Sequence, residues 1–152
     1  MPKENKSVVT NRQAYRDFHI EKTYEAGIEL FGNEVKSLRA GKANLKGSFC
    51  RIEKGEVFLS NMHVNPYEFS SEETDPVRER KLLLHKSEIK HLEVKLAQQG
   101  YALVPIKVYF KRSYAKIEIG LGIGKKLYDK RHALKEKQAK REIDRAMRHK
   151  NR

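Results

Sequence analysis

Residues 106–121 read Ile106-Lys107-Val108-Tyr109-Phe110-Lys111-Arg112-Ser113-Tyr114-Ala115-Lys116-Ile117-Glu118-Ile119-Gly120-Leu121. Ile106, Val108 and Phe110 alternate with Lys107, Tyr109 and Lys111. After a turn at Arg112-Ser113, Ile117, Ile119 and Leu121 alternate with Lys116, Glu118 and Gly120. A period of two on both sides of a turn predicts a β-hairpin with one apolar face and one face carrying lysines and a tyrosine.

Shorter signals of the same kind lie upstream. Phe18, Ile20, Tyr24 and Ile28 predict a long strand over 16–30, with Gly27 as a place where it can bend. Two strands near 48–53 and 56–61 flank the turn dipeptide Lys54-Gly55, and Leu82-Leu83-Leu84 is apolar and strand-like in length. Two short helices fit between them. One is capped by Asn33, with Val35 and Leu38 on one face and Gly41 past its end. The other is capped by Ser87, with Ile89, Leu92 and Leu96 on one face and Gly100 closing it. Residues 65–77, with two prolines and four acids, predict a loop. Short strands, short helices and a 38% hydrophobic content predict a mainly β fold with short helices, an antiparallel barrel without exposed sheet edges. The expected organisation is a flexible polar arm at 1–15, a barrel at 16–124 and a basic tail at 125–152.

Charge narrows the function. The formal net charge is +13 and the pI about 9.8, which points to a polyanionic partner. The tail alone carries a net +8. Its helix formers, Leu127 and Ala133 to Lys140, are uninterrupted by Gly or Pro. At 100° per residue only Ala139, Ile143, Ala146 and Met147 share a face, too little apolar surface to hold a helix on a core. A tail disordered when free and helical against an anionic partner is the expectation. No apolar run is long enough to span a membrane, and Met1-Pro2-Lys3-Glu4-Asn5-Lys6 leads into no secretory stretch, so a soluble, cytoplasmic protein is expected.

Enzymatic constellations are missing. His19, His63, His85, His91, His132 and His149 show none of the close spacings of a metal site on one helix face. The single cysteine, Cys50, excludes an internal disulfide and fits a small buried apolar residue in a strand. Gly120-Leu121-Gly122-Ile123-Gly124-Lys125-Lys126 departs from a Walker loop, because Ile119 stands where its first glycine belongs and Lys126 where Ser or Thr belongs. It departs from the dinucleotide pattern at Lys125. Neither a catalytic residue, a metal nor a cofactor is expected.

What remains suits RNA. Arg78, Arg80 and Lys81 precede the Leu82 run; Tyr109, Lys111, Arg112 and Tyr114 lie on the hairpin; Lys125, Lys126, Tyr128, Lys130 and Arg131 follow it. Cations pair with phosphates and exposed rings stack on unpaired bases. By charge and barrel alone a general RNA-binding module, such as a ribosomal protein or RNA chaperone, fits equally well.

Ordered motifs go further. Thr23-Tyr-Glu-Ala-Gly-Ile-Glu-Leu-Phe-Gly-Asn-Glu-Val-Lys-Ser-Leu-Arg-Ala-Gly-Lys-Ala-Asn-Leu45 resembles the signature of the SmpB family, the transfer-messenger RNA-binding proteins. Asp75-Pro76, Arg80-Lys-Leu-Leu-Leu-His85, Gly100-Tyr101, Val104-Pro-Ile106 and Gly124-Lys-Lys-Leu-Tyr-Asp-Lys-Arg131 follow in the family's order. The resemblance runs from about Asn11 to Arg131; beyond that it is one of composition.

The resemblance implies an OB-like antiparallel barrel and a non-enzymatic task. The protein would bind the tRNA-like domain of transfer-messenger RNA and deliver it to stalled ribosomes. Its tail would enter the empty messenger channel next to the small-subunit decoding region and fold there, with elongation factor Tu engaged indirectly through the aminoacylated RNA. Asn11, Glu25 and Leu83 match residues that face the RNA elbow in the family, and Arg39, Lys81, Lys111 and Lys116 complete the candidate RNA contacts. Glu25 would accept a hydrogen bond from a base amino group or ribose hydroxyl; read alone, it is a solvated strand residue. Gly124, Lys125, Lys126, Tyr128, Asp129, Lys130 and Arg131 match the functional segment at the tail's base. Ile123 stands where many members have a basic residue, an expected loss of a phosphate contact. Tyr128 stands where some have histidine.

Overall fold

The computed structural model describes residues 7–67 and 74–150. In chain order the elements are β1 (Ser7–Thr10), α1 (Gln13–Asp17), β2 (Phe18–Ile28), α2 (Gly32–Arg39), β3 (Ala43–Asn44), β4 (Phe49–Glu53), β5 (Glu56–Ser60), β6 (His63–Val64), β7 (Arg80–Leu83), α3 (Lys86–Leu96), β8 (Tyr101–Lys111), β9 (Tyr114–Gly124) and α4 (Lys125–Lys150). The antiparallel sheet runs β1-β8-β4-β5-β7-β2-β9, and β9 pairs back onto β8. The sheet therefore closes on itself, only roughly as a ring, because β4 meets β8 through the single pair Cys50↔Leu103.

The hairpin predicted at 106–121 closes this sheet, extended to eleven residues on each strand. Arg112 and Ser113 both take positive φ, 50° and 69°, the backbone of a two-residue turn whose twist matches the strands. Lys54 and Gly55 do the same between β4 and β5. Strict alternation fails at one place. A register shift between Pro105 and Lys107 turns Ile106 away from Val108, so the two residues serve different cores.

The main core holds Val57, Leu59, Leu82, Leu103, Val108, Ile117, Ile119 and Leu121 from the strands, with Leu38 from α2 and Leu92 from α3. Ile89 and Leu96 pack partly buried beside Leu92, as the helical spacing predicts. A second, smaller cluster of Ala14, Val104 and Ile106 lies with Phe18 and Ile20 on the opposite side of the hairpin. Gly120 and Gly122 make room for it. A β-carbon on Gly120 would come within 2.9 Å of Ile106 Cδ1, and one on Gly122 within 2.9 Å of the His19 carbonyl. These strand glycines thus admit the chain's own side chains rather than a phosphate.

Several expectations are corrected. Residues 7–15 are not a loose arm: β1 pairs with β8, Val9 is buried, and Ala14 on α1 is 2% exposed. Residues 1–6 lie outside the described residues, as does 68–73 of the expected loop. Asn33 and Ser87 are not the helix caps. Phe31 precedes α2 and its N–H donates to Glu34 Oε1 at 2.9 Å; His85 precedes α3 and donates likewise to Glu88 at 3.1 Å. The acid in the first turn does the capping, reaching back to the entering backbone. The tail, expected to be disordered without a partner, is drawn as one helix, Lys125–Lys150, with no buried residue.

Arg78 and Arg80, read as part of an RNA-facing cluster, turn inward. Arg80 is 0% and Glu34 3% exposed, with Arg80 Nη2 2.6 Å from Glu34 Oε2. Arg80 also donates to the Met62 carbonyl at 2.7 Å and the Pro76 carbonyl at 3.2 Å, while Arg78 joins Glu34 at 2.5 Å. Burial alone would raise the Glu34 pKa, but the donors from Arg78, Phe31 and Arg80 outweigh it and hold the carboxyl below its ordinary range. The group's folded-state stabilisation is thus present at neutral pH and lost as pH falls through that lowered value. Replacing Glu34 by Gln leaves Arg80 as an uncompensated buried charge, with an expected loss of about 3–5 kcal/mol in urea unfolding at pH 7. The gap to the unsubstituted protein should narrow in acid, where Glu34 is protonated; a pH-independent gap would contradict this account.

Candidate nucleic-acid interface

Antiparallel register places residues of neighbouring strands side by side on one face. Across four strands, Tyr109 on β8 opposes Lys116 on β9, Lys116 opposes Gly27 on β2, and Gly27 opposes Leu83 on β7. One step along lies a second row, Thr10, Lys107, Glu118 and Glu25. Asn11 follows Thr10, its backbone N–H donating to the Ile106 carbonyl at 2.7 Å. Glu25, Leu83, Lys111 and Lys116, far apart in sequence, are therefore brought to one face of the sheet towards the turn end of the hairpin, while Asn11 sits farther along, beside Pro105 and Ile106 in the middle of β8.

Each has a definable setting. Leu83 is 50% exposed and leans over Gly27, where an added β-carbon would sit 3.3 Å from Leu83 Cβ. Leu83 is therefore outside the core, an apolar side chain open to solvent on a strand. Asn11 donates its amide to the Pro105 carbonyl at 2.9 Å and so braces the irregular step in β8. Glu25 is exposed, accepts from the Tyr109 hydroxyl, and lies 3.4 Å from Lys111 Nζ. The Tyr109 hydrogen bond first, then Lys111 and Lys116, lowers its pKa against the opposing effect of burial. Glu25 is thus a fixed, ionised acceptor in cationic surroundings. Thr23, Tyr24, Lys107, Tyr109 and Glu118 join it around a recess of about 310 Å³.

The remaining predicted contacts sit apart. Arg39 stacks its guanidinium 4.5 Å from the Phe110 ring and reaches the Ser113 carbonyl at 3.4 Å, at the hairpin tip. Lys81 shares the face of Leu83 but is paired with Glu56 at 3.1 Å. Tyr109, expected as an exposed stacking ring, is 7% exposed and serves Glu25 instead. Tyr114, at 72%, is the exposed ring of the tip. Lys107 and Glu118, an ion pair at 3.5 Å, were not singled out by sequence reasoning. Their cross-strand opposition in the alternating hairpin was the available signal.

The base of the tail occupies the other end of β9. Eight residues separate Lys116 from Gly124, roughly 27 Å of strand. Lys125, Lys126, Asp129, Lys130 and Arg131 are exposed on α4, whereas Tyr128 is half-buried, stacked on His19 with centroids 4.0 Å apart. Ile123 is 2% exposed, so its departure from a basic residue lies in the packed interior and removes no outward contact here. Cys50 is buried and burial pushes its thiol well above the ordinary range. Among the described residues no group of His, Cys, Asp or Glu side chains could hold a metal, and no helix is long and apolar enough to cross a membrane.

The SmpB protein family model matches residues 8–149. This chain belongs to the SmpB family. It is 57% identical over 150 residues to the SsrA-binding protein of Bacillus pumilus, covering 97% of this chain and 96% of that one. The SsrA-binding proteins of Anoxybacillus flavithermus, 55% over 150 residues with 97% of each chain covered, and of Clostridium acetobutylicum, 56% over 145 residues with 95% and 94% covered, are similar. A solved structure described as "tmRNA-SmpB: a journey to the center of the bacterial ribosome" superposes with a TM-score of 0.64 at 54% identity, over 76% of this chain and 82% of that one. The family's fold, antiparallel sheet with short helices and a C-terminal helix, is the one observed.

Because the Tyr109 hydroxyl favours the charged form of Glu25, Tyr109→Phe should raise the Glu25 pKa, read from its side-chain carboxyl shift in an NMR pH titration. Because solvent reaches Glu25, loss of this hydrogen bond should cost at most about 1 kcal/mol of stability at neutral pH. An unmoved Glu25 titration would dissociate the two residues.

Proposed function

We infer that the protein binds transfer-messenger RNA and carries it to stalled bacterial ribosomes for trans-translation, tagging of the unfinished chain and ribosome release. The carrying observation is identity above 50% over nearly the whole chain to proteins that bind SsrA RNA. The surface around Glu25 supports it. Lys111, Lys116 and Lys107 offer phosphate contacts, Leu83 an apolar contact, and Glu25 an acceptor for base amino or ribose hydroxyl groups. The tRNA-like domain is the part this face fits. No bond is made or broken in this task, and elongation factor Tu takes part through the aminoacylated RNA. Its place of work is the cytoplasm.

The tail carries the second half of the task. Its net +8 gives salt-dependent attraction to ribosomal RNA. Messenger RNA in the channel excludes it, so docking of the tail reports that the channel is empty. Lys125, Lys126, Asp129, Lys130 and Arg131 begin this segment and Gly124 ends the barrel, which supports the division into a barrel and a tail.

Affinity for the tRNA-like domain, with an elongator tRNA as competitor at physiological salt, tests the reading. The tRNA-like domain should be strongly preferred. Glu25→Ala should weaken it about tenfold or more, as loss of a hydrogen bond from a charged group does. Lys116→Ala should lower the salt slope by about one. Equal binding to both RNAs, indifferent to Glu25, would leave only a general RNA-binding barrel. Deleting residues 132–152 should preserve this affinity and abolish tagging on stalled ribosomes; tagging that survives would remove the tail from the mechanism.

A further inference from the structure

We propose that the tip of the β8–β9 hairpin is a further RNA contact, in which the Tyr114 ring stacks on an unpaired base of the tRNA-like domain and Arg112 meets a neighbouring phosphate. The proposal rests on the RNA-binding function inferred above, which it deepens by assigning that function a stacking residue.

A tyrosine on a hairpin ordinarily packs on its cross-strand neighbour. Tyr114 does not. It pairs across the hairpin with Lys111, whose Nζ is drawn away to Glu25 at 3.4 Å. The ring is left 72% exposed, and among the described residues it has no ring or hydrogen-bond partner. Tyr109, the other hairpin tyrosine on this face, is already committed to Glu25. Along β9 the alternation places Tyr114 on the same face as Lys116 and Glu118, and Glu118 opposes Glu25. The ring therefore stands about 13 Å along the strand from the Glu25 row, on one continuous surface. An exposed ring among cations binds RNA by stacking. It selects unpaired bases, because both faces of a paired base are already covered by its neighbours.

The turn supplies a separate observation. Two positive φ angles in succession favour Asn-Gly, because a larger side chain on left-handed backbone crowds its own carbonyl. Here the two positions are Arg112 and Ser113, with φ 50° and 69°. The turn thus keeps a strained pair of residues, and the strain places a guanidinium at the outermost point of the hairpin. Arg112 is exposed and, among the described residues, has no ion-pair partner. Its neighbours are occupied. Lys111 is engaged with Glu25, and Arg39 braces the turn, donating to the Ser113 carbonyl at 3.4 Å while its guanidinium lies 4.5 Å from the Phe110 ring. Arg112 remains for a phosphate, next to a ring that remains for a base.

The chain has no tryptophan, so Tyr114→Trp in the full-length protein puts a single reporter ring at the tip. Its emission should be quenched by the tRNA-like domain and left unchanged by a fully paired RNA duplex. Tyr114→Ala should weaken binding to the tRNA-like domain at least about fivefold, the lower end of one base–aromatic stack. Its salt slope should not change, since the ring carries no charge. Arg112→Asn combined with Ser113→Gly should raise the thermal midpoint and lower the salt slope by about one. An unquenched tryptophan, equal quenching by the duplex, or undiminished binding by Tyr114→Ala would overturn the stack. An unchanged salt slope in the turn variant would overturn the phosphate contact. A Tyr114→Ala protein that keeps its affinity yet loses tagging would place the ring against the ribosome and equally overturn the proposal. Equal binding of the tRNA-like domain and an elongator tRNA by the unsubstituted protein would instead strike the proposed function, with the quench and the alanine variant still deciding the tip.

Discussion

The antiparallel register of β9 against β8 on one side and β2 on the other governs the rest of the molecule. These three eleven-residue strands are the longest in the sheet, and nearly every later feature is a consequence of which residues they place side by side. Inward, the pairing stacks Ile117, Ile119 and Leu121 against Val108 and Leu103. Outward, it lines up Tyr109, Lys116, Gly27 and Leu83 in one row and Lys107, Glu118 and Glu25 in the next. A slip of one residue would exchange the two faces, burying the lysines and exposing the isoleucines.

The register alone does not produce a usable face; the irregular step at Pro105–Lys107 does. It lets Ile106 turn to a second cluster with Ala14 and Val104, while Val108 remains in the main core. Asn11 braces the step through the Pro105 carbonyl, which ties a residue implicated in RNA contact to the geometry of the strand beside it. Tyr109 plays a comparable part for Glu25. A ring that charge patterning marks for base stacking is used internally, to orient a carboxylate.

Charge in this protein divides by burial. The excess lysines and arginines are on the outer face and the tail, where solvent and a polyanion share them. Arg80 and Glu34 are taken from water altogether and join α2 to β7 and to the backbone at Met62 and Pro76. Such a pair contributes little net stability over an apolar substitute, yet losing one member is severe, so it constrains how α2 sits on the barrel. Helix α4 is the opposite case. It is held only at its start, where Leu127, Tyr128 and Arg131 touch the barrel, and leaves the rest of its charge for another molecule.

The sequence by itself determined the hairpin, the turns at Lys54-Gly55 and Arg112-Ser113, the apolar face of α3, the basic tail and, through ordered motifs, the family. All of these rest on local periodicity, local turn chemistry or contiguous words, which a linear reading contains. Tertiary structure alone decided that 7–15 pack onto β8, that Arg78 and Arg80 turn inward while Lys81 does not, and that Tyr109 supports Glu25. It also decided that Ile123 is interior and that Gly100 receives Leu127. Each of these depends on which strand lies opposite which, over separations of tens of residues. Neighbouring arginines have the same composition signal, and only the position of Glu34 across the barrel end distinguishes the buried one from the rest.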